Sequence, residues 1–446
     1  MNCVRLRSQS GQALIFALFF LLIGCLALFF LFSAGQITAD KMRVTNTADA
    51  AAYSGAVWRA RVLNYDAYTN RAIVANEIAI AQYLTLDNWV RYLSITANNI
   101  NDYTQFIPYV GEVTSEIASV ADEAKELTDV ETEYAVPIRD KYEKMAIANS
   151  QEILHAAANP VAMQLVINQV ISANGPNFKG LTLIGSDDFL SFTRNYSGDD
   201  RMRMAHVILD SRDGFTTDRP WNLGLELSCF LPPTGELRKR GGTSLKTLDR
   251  WDSVDTLSFH YQVVVKDWLG IPHCEERETP VGWGGTSSPN ADDGGFANSD
   301  VIGGNFGGSQ GTNPSAHGDA DNDRVDTSGY TGVAVVRELN DQQLQNPNPT
   351  TRFAVVVKTV PGSTRTSDQV GLAAGRMKLG DNLDGNSIAA VSAAEVYFMR
   401  PTDVGSAARA DGNTELASLY NPYWQARLVD VTTTEQAAAR ALKNAF

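Results

Sequence analysis

The chain has 446 residues and a formal net charge of −14, with 51 Asp and Glu against 37 Lys and Arg. A body that acidic repels the phosphates of nucleic acid and of anionic lipid headgroups, which argues against nucleic acid as the main partner. The length and an apolar content of 44 % leave room for two or three domains with real cores.

Residues 1–12 form a short tail whose charged side chains are Arg5 and Arg7. Residues 13–33 carry no charge and are almost wholly apolar. As a helix they would measure about 31 Å, the thickness of a bilayer's hydrocarbon layer. No other stretch of the sequence approaches this, so one membrane span is predicted, with the body from residue 36 onward in a non-cytoplasmic aqueous space. Arg5 and Arg7 favour a cytoplasmic tail, and Lys41 and Arg43 oppose that bias from the far side. Two processing signals fit less well. A cleavable signal peptide has an apolar core of roughly 7–15 residues, shorter than this run, although Ser33-Ala34-Gly35 offers a cleavage site. A lipobox at Leu22-Ile23-Gly24-Cys25 is followed by the apolar Leu26 to Phe32, where a mature lipoprotein turns polar. Cys229 and Cys274 both fall in the exported body, where they either pair or stay as buried thiols.

Residues 36–173 read as a helical periplasmic region. There is no proline from 36 to 106, and Ala48, Ala52, Ala56 and Ala60 recur at every fourth position. Such a small-residue stripe either lets a neighbouring helix approach closely, as an interaction face, or simply favours helicity. The Asn and Asp residues scattered along the stretch predict two or three helices in place of one rod. Between 111 and 133, Val113, Ile117, Val120, Ala124 and Leu127 step by 4, 3, 4 and 3, which predicts one buried face of an amphipathic helix. Its other faces hold eight acidic residues against Lys125. Pro137 is expected to open a further helix ending near Asn159-Pro160, and another runs to Ala173 before Asn174-Gly175-Pro176.

From 178 to 446 the pattern predicts a mainly β domain. Short apolar or alternating runs at 205–209, 224–230, 258–265, 331–337, 352–359, 391–399 and 426–431 read as strands, and a C-terminal helix opens at Thr432–Thr434 with Glu435 in its first turn. Thirteen Gly, seven Asp, six Ser and five Asn over residues 282–332 predict a long exposed loop. The expected fold is thus α+β: an N-terminal transmembrane helix continuing into a helical region, then a mainly β body with a C-terminal helix.

Candidate chemistry is sparse. Gly307-Gly308-Ser309-Gln310-Gly311 matches the G-x-S-x-G pattern of a hydrolase elbow, but that motif requires a strand turning sharply into a helix, and here composition alone explains it. The five histidines show no metal-ligand spacing. Asp319, Asp321, Asp323 and Asp326 alternate as Ca²⁺-binding carboxylates do, yet the positions where an EF-hand wants Gly and Glu hold Arg324 and Tyr330. Arg238-Lys239-Arg240 reads as a solvated turn. No base, nucleophile and orienting group come together, so no enzyme class follows.

A basic tail, Gly11-Gln12-Ala13, a long apolar run and then Lys41-Met42-Arg43-Val44-Thr45-Asn46-Thr47-Ala48-Asp49-Ala50-Ala51-Ala52-Tyr53-Ser54-Gly55-Ala56 together resemble TadE/TadG-like Flp (tight-adherence) pilus-assembly proteins. The likeness spans roughly residues 8–80, and Glu395-Val396-Tyr397-Phe398 with Tyr420 to Leu428 looks like a C-terminal segment of some longer members. The resemblance implies a bacterial inner-membrane protein, cytoplasmic at Arg5 and periplasmic after Gln36. It further implies a non-enzymatic role in assembling or anchoring a type IV-like pilus, with membrane lipid and other pilus-assembly proteins or pilin subunits as partners. Two departures stand out. Processed pilin-like members place Glu five residues after the cleavage-site Gly, where this chain has Phe16. The D-x-S-x-S metal motif of a von Willebrand A domain is not matched by Asp210-Ser211-Arg212-Asp213. The alternative from a different class is a periplasmic or surface binding module, calcium-loaded through its acidic loop; a hydrolase using Ser309 is a third.

Overall fold

The computed structural model describes residues 12–183, 187–195, 198–224, 235–289, 303–360, 363–364, 387–400 and 413–442. Three helices lead: α1 (Gln12–Thr104), α2 (Val110–Ala158) and α3 (Pro160–Asn174). Next come β1 (Phe178–Thr182), α4 (Phe189–Phe192), β2 (Thr193–Asn195), α5 (Gly198–Asp210), β3 (Trp221–Gly224), β4 (Gly235–Thr247), β5 (Arg250–Lys266) and β6 (Pro272–Pro289). The chain closes with α6 (Ser309–Thr312), α7 (Pro314–Asn322), β7 (Val325–Asp326), β8 (Arg337–Leu339), α8 (Asp341–Leu344), β9 (Thr350–Thr359), β10 (Ala389–Phe398), β11 (Trp424–Val429) and α9 (Thr433–Leu442). This is the expected α+β order of a long apolar helix, further helices, a β body and a terminal helix. Two compact units divide it: residues 1–67, 152–194 and 339–446 form the first, and residues 68–151 and 195–338 the second.

The first unit is built on an antiparallel sheet in the order β1-β9-β10-β11. Side chains alternate along β9 with the period of 2 that a strand imposes. Phe353, Val355 and Val357 join one apolar core with Met163, Ile167 and Ile171 of α3 and the alanines of α1, while Ala354 and Val356 join another with Ala393 and Ala439 of α9. Both faces are therefore covered, which is why β9 reads as an unbroken apolar run. Helix α3 starts at Pro160, whose missing N–H costs nothing at a first helical position, and the Asn159 side chain accepts from Val161 N at 2.8 Å. At α9 the Glu435 carboxylate accepts from Thr432 N at 2.8 Å and the Thr432 hydroxyl from Glu435 N at 3.2 Å, a reciprocal capping box.

The second unit packs α1 from Tyr68 onward and most of α2 with the sheet β3-β4-β5-β6-β7, antiparallel except for the β6–β7 pair. Its helix–sheet contact is polar. Thr85, Thr243 and Ser253 form a buried hydroxyl chain at 2.6 and 2.7 Å, and Asn99 donates to Val281 O at 2.9 Å. Asn88 donates to Asp255 at 2.6 Å, and that fully buried carboxylate also accepts from Arg219 at 2.7 Å and from Lys239.

Several expectations are corrected. Helix α1 is continuous where breaks were predicted, because its Asn residues bond sideways to other elements: Asn64 with Trp424, Asn70 with Arg337 O, Asn76 with Arg139 O. Pro137 lies inside α2 and does not open a helix. Residues 205–209 belong to α5, not to a strand. Arg238-Lys239-Arg240 lies in β4, with Lys239 buried against Asp255, not in a turn. The predicted exposed loop at 282–332 is, where described, folded: 282–289 is the end of β6, and 303–332 contains α6, α7 and β7 with buried Phe306, Ser309 and Tyr330. Its glycines serve close approach, since a Cβ on Gly284 would lie 2.6 Å from Asn88 O of α1. The predicted buried face of α2 is also reversed. Val113, Ile117, Val120 and Leu127 are 56, 55, 66 and 69 % exposed, while Ala118, Thr128 and Thr132 are buried. Helix α1 presents polar groups here, with Ser94 donating to Asp122 at 2.5 Å and Asn98 to the same carboxylate at 2.9 Å, so α2 turns its small and polar stripe inward.

Candidate functional site: an exposed apolar span and the helix behind it

The fifteen large apolar side chains from Leu14 to Phe32 are all at least 40 % exposed. At about 1.5 kcal/mol or more for each such side chain left in water, the run carries a penalty on the order of 20 kcal/mol that a bilayer removes. Among the described residues, the helix from Ala13 is the one long and apolar enough to cross a membrane, and this fits a single-pass anchor. The thiol of Cys25 is free and exposed on the span. Burial starts where the run ends: Ser33, Val44 and Thr47 are all buried, and the Thr47 hydroxyl donates to Arg43 O at 2.8 Å.

The structure places Ala48, Ala52, Ala56 and Ala60 inside the chain's own first-unit core, beside Met163, Ile167 and Phe353. The packing is tight, since a Cβ on Gly55 would come 2.6 Å from a Phe353 ring carbon and 3.1 Å from Met163 Sδ. One turn further, Arg59 is fully buried and holds Asp187 through two hydrogen bonds of 2.8 and 2.5 Å. Its guanidinium also lies 4.6 and 4.9 Å from the ring centres of Phe189 and Phe353. The helix behind the span is thus fastened by close small-residue contact plus one desolvated bidentate ion pair.

The other predicted residues scatter. Asp319 and Asp321 lie on α7, Asp323 ends it and Asp326 is in β7. Asp321 pairs with Arg324, Asp323 accepts from Trp283 Nε1 at 2.8 Å and Asp326 accepts from Ser287, while burial and the neighbouring Asp323 push the Asp319 carboxyl up. Among the described residues no three His, Cys, Asp or Glu gather as a metal site. Ser309 follows a left-handed Gly308 and a 3-10 turn, not a strand, and is fully buried. Its Oγ lies 3.0 Å from His317 Nδ1 and 3.1 Å from the Thr256 hydroxyl, and His317 Nε2 lies 3.6 Å from Asp321. Burial pushes the His317 pKa down. These groups tie α6 and α7 to β5. Cys274 on β6 is disulfide-bonded, and Cys229 lies outside the described residues, as do Arg5 and Arg7.

Sequence reasoning missed two buried polar knots in the second unit: Asp255 with Asn88, Arg219 and Lys239, and Glu77 with Trp251 and Tyr330. Each joins residues more than 150 positions apart, and their one local signal is the run of polar residues along a proline-free helix.

No curated protein and no solved structure matches this chain. Residues 11–59 match the Flp pilus-assembly TadE/G-like family, a range that takes in the exposed span and ends at Arg59, the residue that holds Asp187. Residues 11–59, which lie within the first unit, are thus similar to TadE/G-like Flp pilus-assembly proteins.

Proposed function

We propose that the protein is a non-enzymatic, single-pass component of the bacterial inner membrane that assists assembly or anchoring of a Flp-type pilus. Its short tail is cytoplasmic, its body periplasmic, and its partners are membrane lipid and other pilus-assembly proteins or pilin subunits. The reading is carried by one coincidence: the residues that match the pilus-assembly family are those that leave an apolar helix bare and then fasten it to a folded body. The alanine stripe is filled by the chain's own core, so lateral contacts fall to exposed side chains of the post-span helix such as Met42 and Tyr53.

The test is photocrosslinking of the full-length chain in native membranes from positions 42 and 53, followed by identification of the adducts. Adducts with pilus-assembly proteins or pilin support the reading. Recovery of the protein in the soluble fraction without its first thirty-odd residues, or adducts solely with unrelated envelope proteins, overturns it.

A further inference from the structure

Within the second unit, α1 and α2 leave an open apolar groove of about 690 Å³ between them, with Trp89, Leu93 and Ile100 on one wall and Val113, Ile117 and Val120 on the other. Its floor is set by small residues, Ala97, Ala121 and Ala124, which keep it deep enough for side chains to enter. The α2 wall extends beyond the groove with the same repeat. After Leu127 come Tyr134, Ile138 and Met145, at steps of 7, 4 and 7, each more than 60 % exposed. A stripe advancing every 3.5 residues is the seam through which one helix packs along another; past residue 133 its exposed charges are Lys141 and Lys144, so the acid-edged docking stretch is 113–127, about 21 Å of helix.

The charges beside the groove select the occupant. Glu112, Glu116, Glu123 and Glu126 are exposed along its α2 edge, and Lys125 is the one cation between residues 111 and 133. A second copy docking through the same face would bring acid against acid, and an anionic membrane surface would be repelled likewise. A helix with an apolar stripe and basic flanks meets both requirements at once.

We propose that this groove is a docking site for an amphipathic helix of another protein, one that carries Lys or Arg on both sides of its apolar stripe. The inference goes beyond the anchoring role and rests on the groove and its charges, not on the family match.

The experiment uses the full-length protein in phosphatidylcholine nanodiscs and two fluorescent three-heptad helical peptides with the same leucine stripe, one flanked by Lys and one by Glu. Anisotropy titrations should give binding of the Lys peptide at least about tenfold tighter than that of the Glu peptide, weakening as salt is raised. Val120→Glu with Ile117→Glu should abolish binding while leaving the thermal melt unchanged, because both side chains are on the surface. Glu116→Lys with Glu123→Lys should reverse the preference between the peptides. Equal binding of the two peptides overturns the proposal, as does Lys-peptide binding that survives both pairs of substitutions. Self-association, or binding to phosphatidylglycerol vesicles, that Val120→Glu abolishes would give the groove to a second copy or to lipid, and would also overturn it.

Discussion

Replacing Glu77 by Gln should make the protein progressively more stable than wild type as pH rises from 5 to 8. Glu77 is fully buried on α1, where its carboxylate accepts from Trp251 Nε1 at 3.0 Å and from the Tyr330 hydroxyl at 3.1 Å. Burial pushes its pKa up to about 7; the hydrogen bonds from Trp251 and Tyr330 oppose the rise, Asp140 adds to it and Arg201 opposes it. Glu143, on the facing α2, is also pushed well above the usual range by burial and by Glu77. The folded pKa is higher than the ordinary 4.5, so the stability that goes with holding this proton is complete below about pH 4.5 and is lost as pH rises through 7. At about 1.4 kcal/mol per tenfold, the loss between pH 5 and pH 8 amounts to roughly 2–3 kcal/mol. Glutamine keeps an acceptor for Trp251 and Tyr330 but cannot ionise. Its stability relative to wild type should therefore grow by that amount across the range, while Glu143 leaves both proteins with a residual slope of the same sign. Urea unfolding of the full chain in detergent, followed by tryptophan fluorescence at several pH values, measures the difference. A difference between Gln and Glu that stays constant with pH would refute the argument.

Asp187→Ala should destabilise the first unit by about 3–5 kcal/mol, since it strands the buried Arg59 guanidinium without its carboxylate, and urea unfolding read by circular dichroism would measure the loss. Gly284→Val should cost at least about 1–3 kcal/mol because its Cβ would meet a backbone carbonyl of α1 that cannot swing away, and amide exchange along residues 272–289 should quicken. Asp321, Asp323 and Asp326 already have protein partners, so millimolar calcium should produce no heat in calorimetry and no shift in melting temperature.

What was legible in the sequence is what depends on short-range pattern. The apolar span, strands β5, β9 and β10 and the Thr432–Glu435 capping box all follow from consecutive residues, and each appears close to its expected place. What was not legible depends on the partner. Val207, Ile208 and Leu209 are as apolar as a strand, but Ile208 is buried from the face of a helix that also buries Met204. Glycine at 282, 284 and 285 has the composition of a loop; only the presence of α1 beside the first two and of α7 beside Gly285 turns it into a requirement for closeness. The 4, 3, 4, 3 stripe of α2 was rightly read as a helical face, yet periodicity cannot say whether the chain itself covers that face, and here it does not.

The continuity of α1 has a consequence for how the body is specified. A helix packed only through apolar contacts tolerates a slip of one turn, because one leucine fits much like another. Here each unit pins its own stretch with amides and carboxylates that have a single correct partner: Asn64 exchanges two hydrogen bonds of 2.9 Å with the backbone of Trp424, and Asn88 and Thr85 face Asp255 and Thr243. A slip would leave several of these groups unpaired at about 1–3 kcal/mol each, a total comparable to the 5–15 kcal/mol that typically stabilises a whole domain. The span itself ends at other residues: Asp40, Lys41 and Arg43 lie within about three turns of residue 33, and each would be expensive in hydrocarbon. The end of the span and the register in which the body closes on α1 are thus set by different polar residues of one continuous helix.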